Sequence, residues 1–207
     1  MLIKASKPIW LAILLLCLSA CSEDSIPRLM PLADDAVVLA FGDSLTFGTG
    51  SQQLTESYPA VLSNLINRRV INAGIPGEVS VEGVKRLQSE LENHSPELVI
   101  LCHGGNDLIR KLDEAQLKQN LHAMISLIRG SGAEVVMLAV PKPGLFLKSA
   151  PLYYTVADEE AIPLESEILS QVESESALKS DYIHPNAAGY RLIAQQVKVL
   201  LEQAGAL

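Results

Sequence analysis

The stretch "VVLAFGDSLTFGTG" (residues 37–50) runs an apolar, β-branched segment straight into a turn of glycine, aspartate and serine. The run VVLAF has no polar position to offer to water, which fits a parallel strand covered on both faces. A glycine at its end allows a positive φ or the close approach of another group. Ser44, in that turn, is either a cap for the next helix or a hydroxyl that something else must reach.

Similar strand-like runs recur at "VINA" (70–73), "ELVILC" (97–102), "AEVVMLAV" (133–140) and, more weakly, "AIPL" (161–164). Helical stretches lie between and after them, at 56–68, 79–92, 113–129 and 187–203. In the third, Leu117, Leu121, Met124, Ile125 and Ile128 fall on one face at helical spacing, and "RGSGAE" stops it. This alternation predicts an α/β domain in three layers, α/β/α, around a parallel five-stranded sheet. Ligands of such sheets bind beyond the carboxyl ends of the strands. The turns "GDS", "GIPG" and "HGGND" each follow a strand and are expected to gather at one edge. The acidic, serine-rich segment "ESEILSQVESESALKS" (165–180) reads as a solvated loop or exposed helix.

The bulk composition sets limits. The 207 residues are enough for one domain with a full core; 48% are hydrophobic, only 4% aromatic, and the formal net charge is −8. No basic stripe is present, so nucleic acid is not an expected partner. No His/Cys/Asp/Glu group has metal-ligand spacing and no P-loop appears, so neither metal nor cofactor is expected.

Lys4 and Lys7 precede the apolar run "IWLAILLLCL" (9–18), too short to span a bilayer comfortably and of the length of a signal-peptide core. The ending "LSAC" resembles a bacterial lipobox, in which Cys21 becomes the lipidated first residue. The division expected is therefore a lipoprotein signal peptide at 1–20, a tether at 21–35, and a catalytic domain at 36–207. An ordinary signal peptide or an uncleaved anchor would read similarly. Removal of residues 1–20 takes away two lysines and leaves the remainder more negative. Ser22 resembles the pattern permitting outer-membrane sorting, so a lipid-anchored, periplasm-facing location is expected, with the outer membrane favoured over the inner. With Cys17 lost and Cys21 lipidated, Cys102 is left alone, which excludes a disulfide framework; a buried strand cysteine is the plain reading.

Near the end, "DYIHPNAAGY" (181–190) sets Asp181 three residues before His184. A serine hydroxyl is a weak nucleophile until a base takes its proton, and the base needs a third group to set its tautomer. Ser44, His184 and Asp181 supply those three types. A tetrahedral oxyanion needs donors, for which the backbone N–H of Ser44, that of Gly77 and the amide of Asn106 are candidates. Taken singly, each has a plain reading: Gly77 a turn glycine, Asn106 a cap, and "HPN" a helix start with proline at its first position.

Together, "FGDSLTFG", "NAGIPGE", "HGGND" and "DYIHPN" resemble the four blocks of the SGNH (GDSL) hydrolase family, in order, across roughly residues 36–203. Within it the chain resembles bacterial periplasmic thioesterase/lysophospholipase/arylesterase proteins in particular. The resemblance implies a flavodoxin-like sheet, Ser44 as nucleophile, His184 as base oriented by Asp181, and an oxyanion hole of Ser44, Gly77 and Asn106, with Gly74 the rival for the glycine role. The GxSxG elbow of α/β-hydrolases is absent, since Thr46 stands where its second glycine would be. Asp43 and Asp107 read as turn-holding residues, and His94 and His122 as surface or partly packed ones. His103 is expected either to border the site or to pack behind it.

The segment "PKPGLFLKSAPLYYT" (141–155) offers Leu145, Phe146, Leu147, Leu152, Tyr153 and Tyr154 as walls for an acyl or aryl group, or alternatively as residues packing on the sheet. The implied activity is hydrolysis of small-molecule or lipid (thio)esters through an acyl-enzyme, by a monomer, with loss of activity at low pH. A carbohydrate or peptidoglycan O-acetylesterase and a catalytically silent lipid-binding lipoprotein are the rival readings.

Overall fold

The structure, a computed structural model, describes residues 26–144 and 147–207. The expected signal peptide, Cys21, Leu145 and Phe146 lie outside the described residues. In chain order the elements are β1 (Val37–Gly42), α1 (Ser44–Phe47), α2 (Gln53–Glu56), α3 (Tyr58–Ile66), β2 (Arg69–Gly74), α4 (Ser80–His94), β3 (Leu98–Cys102), α5 (Gly105–Ile109) and α6 (Glu114–Gly130). They continue with β4 (Glu134–Leu138), β5 (Pro141–Lys142), β6 (Lys148–Ser149), α7 (Pro151–Glu160), β7 (Leu164–Glu165), α8 (Ile168–Ser174), a 3₁₀ turn at Ser176–Leu178, and α9 (Ala187–Ala204).

Five strands form one parallel sheet in the order β2-β1-β3-β4-β7, as the alternation of the sequence predicts. The two central strands are the most apolar runs: β3 is buried at every position and β1 at all but its first. Continuous apolarity is what burial on both faces demands. Helices α3 and α9 pack on each other, and α4 packs on α6, which carries α7. The α6 face foreseen from spacing, Leu117 to Ile128, is wholly buried.

Topology decides where the site must be. From β1 the chain crosses to β2 on one side and then returns to place β3 on the other, so β1 and β3 flank the switch point at which the turns splay apart. Register makes the turns level: Gly42 lies opposite both Gly74 and Cys102. A Cβ on Gly42 would sit 2.0 Å from the Cys102 carbonyl oxygen, so only glycine lets the two strand ends come this close.

Three expectations change. Residues 26–35, expected within a free tether, are held to the domain: Leu29 N–H donates to the Ala204 carbonyl and Leu32 N–H to that of Ala206, both at 2.9 Å. Ile26, Leu29 and Leu32 supply the apolar face that packs there. Residues 141–155 are not one loop but the hairpin β5–β6 followed by α7, which Pro151 starts. The segment 165–180 is solvated only in part: residues 174–177 are exposed, but α8 buries Ile168, Leu169 and Val172, and carries Ser170 and Glu173 inward with them.

Candidate active site

Ser44 begins α1 directly after the strand end. The carboxylate of Asp43 caps that short helix by accepting from Leu45 N–H at 3.1 Å. Its second oxygen accepts from the Asn106 amide at 3.2 Å, tying the turn after β1 to the turn after β3. Burial raises the pKa of Asp43, against His103, the Leu45 N–H and other neighbours. It is a structural acid, as its turn position suggested.

The Ser44 hydroxyl lies 3.0 Å from Nε2 of His184. On the far side of the ring, Nδ1 lies 2.7 Å from Asp181 Oδ2. Burial alone would raise the pKa of Asp181, but the His184 ring and the backbone N–H groups of Ile183 and His184 outweigh it and hold the carboxyl at about 2. An ionised carboxylate only accepts, so Nδ1 carries the proton and Nε2 presents its lone pair to Ser44. That is the tautomer a general base needs.

The loop bearing this pair is stitched by Asn186. Its side chain caps α9 by accepting from Ala188 and Gly189 N–H, and donates to the Ala177 and Lys179 carbonyls. Asn186, rather than Pro185, thus starts the last helix. Tyr190 adds a hydroxyl donated to the Thr49 carbonyl at 2.8 Å, joining α9 to the loop after α1.

The second block, Ile75-Pro76-Gly77-Glu78, forms a turn closed by Glu78 N–H to the Ile75 carbonyl, with Gly77 at φ +80°. Proline second and a positive-φ glycine third is the pattern of a type II turn. Gly77 N–H has no acceptor among the described residues, whereas Gly74 N–H is taken by the Asn72 side chain at 3.0 Å. Of the two glycines, Gly77 therefore has the amide available to a ligand.

Glu78 and Arg86, which the sequence reading left unweighted, fasten this turn together with His103. Glu78 accepts two bonds from Arg86, at 2.9 and 2.7 Å, and one contact of 3.0 Å from His103 Nε2. Burial opposes ionisation of Glu78, but Arg86 and His103 overcome it and hold the carboxyl at about 2. Arg86 also stacks over the Phe41 ring, 4.2 Å from its centroid. Above, the Asn106 amide donates to the Glu78 carbonyl at 3.0 Å, and Arg110 donates to that of Gly77 at 2.8 Å.

A cleft opens beside Ser44 and His184, walled mainly by Leu45, Ile109, Val140, Pro141, Leu147 and Ile183. Of the described wall candidates from 141–155, Leu147 lines it. Tyr153 does not: it is fully buried and donates its hydroxyl to the His103 carbonyl at 2.8 Å. Tyr154 faces outward toward Glu167. His103 likewise does not border the cleft; it is fully buried behind the Glu78 turn. The reason is the same for both, since α7 and the β3 end carry them into the core. Glu173, which the sequence reading overlooked, lines the cleft.

Among the described residues no His/Cys/Asp/Glu group could hold a metal ion. Cys102 is buried and its thiol pushed well up by that burial, which leaves it inert. Asp107 accepts from the Ser80 N–H and hydroxyl. His94 meets Glu90, and His122 bridges Glu159 and Glu160 on α7.

The profile of the GDSL-like Lipase/Acylhydrolase family matches residues 40–192. The chain belongs to this family. It is an ester-hydrolysing enzyme of the GDSL/SGNH type. An arylesterase of Vibrio mimicus is 30% identical over 196 residues, covering 89% of this chain and 92% of the relative. The Escherichia coli K12 protein named thioesterase 1/protease 1/lysophospholipase L1 is 28% identical, covering 76% and 79%. The crystal structure of TesA superposes with a TM-score of 0.74 at 30% identity, over 81% of this chain and 99% of that one. The GDSL blocks of this chain are thus the four turns just described, at one edge of the sheet.

Proposed function

We propose that this GDSL hydrolase acts on apolar carboxylic esters and thioesters, in the manner of an arylesterase, acyl-thioesterase or lysophospholipase, with Ser44 as nucleophile. The observation that carries the reading is the hydrogen-bonded series Ser44–His184–Asp181 at 3.0 and 2.7 Å, opening on an apolar cleft.

His184 Nε2 takes the hydroxyl proton as Ser44 Oγ bonds to the ester carbonyl carbon, and Asp181 balances the imidazolium that results. The oxyanion then faces the N–H groups of Ser44 and Gly77 and the Asn106 amide. In the free enzyme that amide is shared between the Glu78 carbonyl and Asp43. The longer Asp43 bond is the one exchanged for the oxyanion. Collapse returns the proton from His184 to the leaving alcohol or thiol. Water, deprotonated by the same nitrogen, attacks the acyl-Ser44 ester and releases the acid and the free serine.

The test is a series of p-nitrophenyl esters from acetyl to octanoyl, together with acyl-thioester and lysophospholipid. Rising kcat/KM with chain length supports the reading, and a strong preference for acetyl supports the O-acetylesterase instead. The N-terminal pattern supports a lipid-anchored protein at the cell envelope. Radiolabelled palmitate incorporated by the wild type and lost in Cys21→Ser is the result expected, and equal labelling of both overturns the anchor.

A further inference from the structure

Glu173 is a carboxyl without an evident structural duty. Its residue is 5% exposed on α8, yet it is among the groups lining the cleft beside Ser44 and His184. Among the described residues no hydrogen-bond partner meets its side chain, unlike Glu165, which caps α8 through the Glu167 and Ile168 N–H groups. The rest of the cleft wall is mainly aliphatic and proline, with Asp43, Ser44, Asn106 and His184 its other polar members. The charged and titratable groups facing it are Asp43 after β1, Cys102 at the end of β3, Lys179 before the His184 loop and Tyr190 on α9, with His184 across the cleft.

A carboxylate in such a wall is expensive, and so is any polar group left unpaired when a chain displaces the water that serves it. A protonated carboxyl lowers the first cost but still needs an acceptor for its O–H. The geometry points to Glu173 as a specificity-determining residue that, in its neutral form, donates a hydrogen bond to an oxygen carried by the acyl chain of the ester. An oxygenated acyl group, alkoxy, hydroxy or oxo, fits this wall better than an alkyl chain of the same length. Burial, reinforced by Asp43 and opposed by Lys179, raises the Glu173 carboxyl to about 8, consistent with a donor at neutral pH.

The inference rests on the acyl chain of a Ser44-bound ester entering this cleft. The experiment compares near-isosteric p-nitrophenyl esters: butyrate with methoxyacetate, and pentanoate with 3-methoxypropionate. The ratio of kcat/KM within each pair is measured for wild type, Glu173→Leu and Glu173→Gln, so that intrinsic ester reactivity cancels between proteins. For at least one pair, the preference for the oxygenated ester is expected to fall about five- to tenfold in Glu173→Leu, mostly through KM. Glu173→Gln, which keeps a donor, is expected to retain it. In the wild type the preference declines as pH rises through about 8, while in Glu173→Gln it stays flat. Ratios within twofold in all three proteins and at all pH values overturn the assignment. The pH arm needs only the wild type and the conservative variant, so a Glu173→Leu protein that fails to fold does not rescue it. Hydrolysis surviving in Ser44→Ala would instead overturn the catalytic reading, a separate outcome.

Discussion

The Ser44 hydroxyl and His184 Nε2 stand 3.0 Å apart although 140 positions separate them in the chain. Neither residue has a local reason to meet the other. The parallel sheet brings the turn after β1 to its carboxyl edge, and the cap of α9 by Asn186 brings the histidine down onto it. Ser44→Ala and His184→Ala are each expected to lower kcat by about a thousandfold or more, and the double variant little further, because the residues act as one unit. Steady-state kinetics of the three proteins checks this, and additive losses would count against it.

Asp181 acts through His184. Its carboxyl, held at about 2, stays ionised across the working range, so a proton on Asp181 does not limit turnover between about pH 4 and 9. In Asp181→Ala the anion that stabilises the imidazolium formed in the transition state is gone, and kcat is expected to fall about a thousandfold or more with KM little changed. A kcat within about tenfold of the wild type contradicts this role.

In the proposed oxyanion hole Asn106 supplies one of the donors, so Asn106→Ala is expected to cost about a hundred- to a thousandfold in kcat. Glu78→Gln acts differently. It removes the anion between Arg86 and His103 that fixes the Gly77–Glu78 turn. A displaced donor should cost about ten- to a hundredfold in kcat with KM little changed. A loss confined to KM would assign Glu78 to substrate binding instead.

The buried carboxyl of Glu173 also leaves a thermodynamic mark. Its pKa is raised from 4.5 to about 8 in the folded chain, so the folded protein holds a proton there that the unfolded chain has released. Stability contributed by this group is therefore full below about 4.5 and is lost as pH rises toward 8, by at most about 5 kcal/mol. Glu173→Gln removes that slope. Thermal unfolding at pH 5 and pH 8 should show the variant gaining several degrees on the wild type at the higher pH. An unchanged difference between the two pH values would mean that the carboxyl is not buried as described.

The sheet was legible because β1, β3 and β4 are apolar enough to declare themselves and because β1, β2 and β3 each end in an unusual turn. What was not legible lies in tertiary contact. The segment around Glu173 reads as solvated by composition. Its signal was the apolar trio Ile168, Leu169 and Val172, which falls on one face of α8 and takes Glu173 inward. Tyr153, a candidate wall in the segment 141–155, sits instead on α7, which starts at Pro151 and turns it into the core. The clamp of Glu78 by His103, 25 positions away, has no local pattern at all.

Covalent labelling by a fluorophosphonate, mapped by mass spectrometry, tests the central claim most directly. The probe bonds only to a serine activated by its neighbours. The adduct should form on the peptide containing Ser44, be absent from Ser44→Ala, and form far more slowly in His184→Ala. An adduct on another serine, or hydrolysis persisting in Ser44→Ala, would contradict the account.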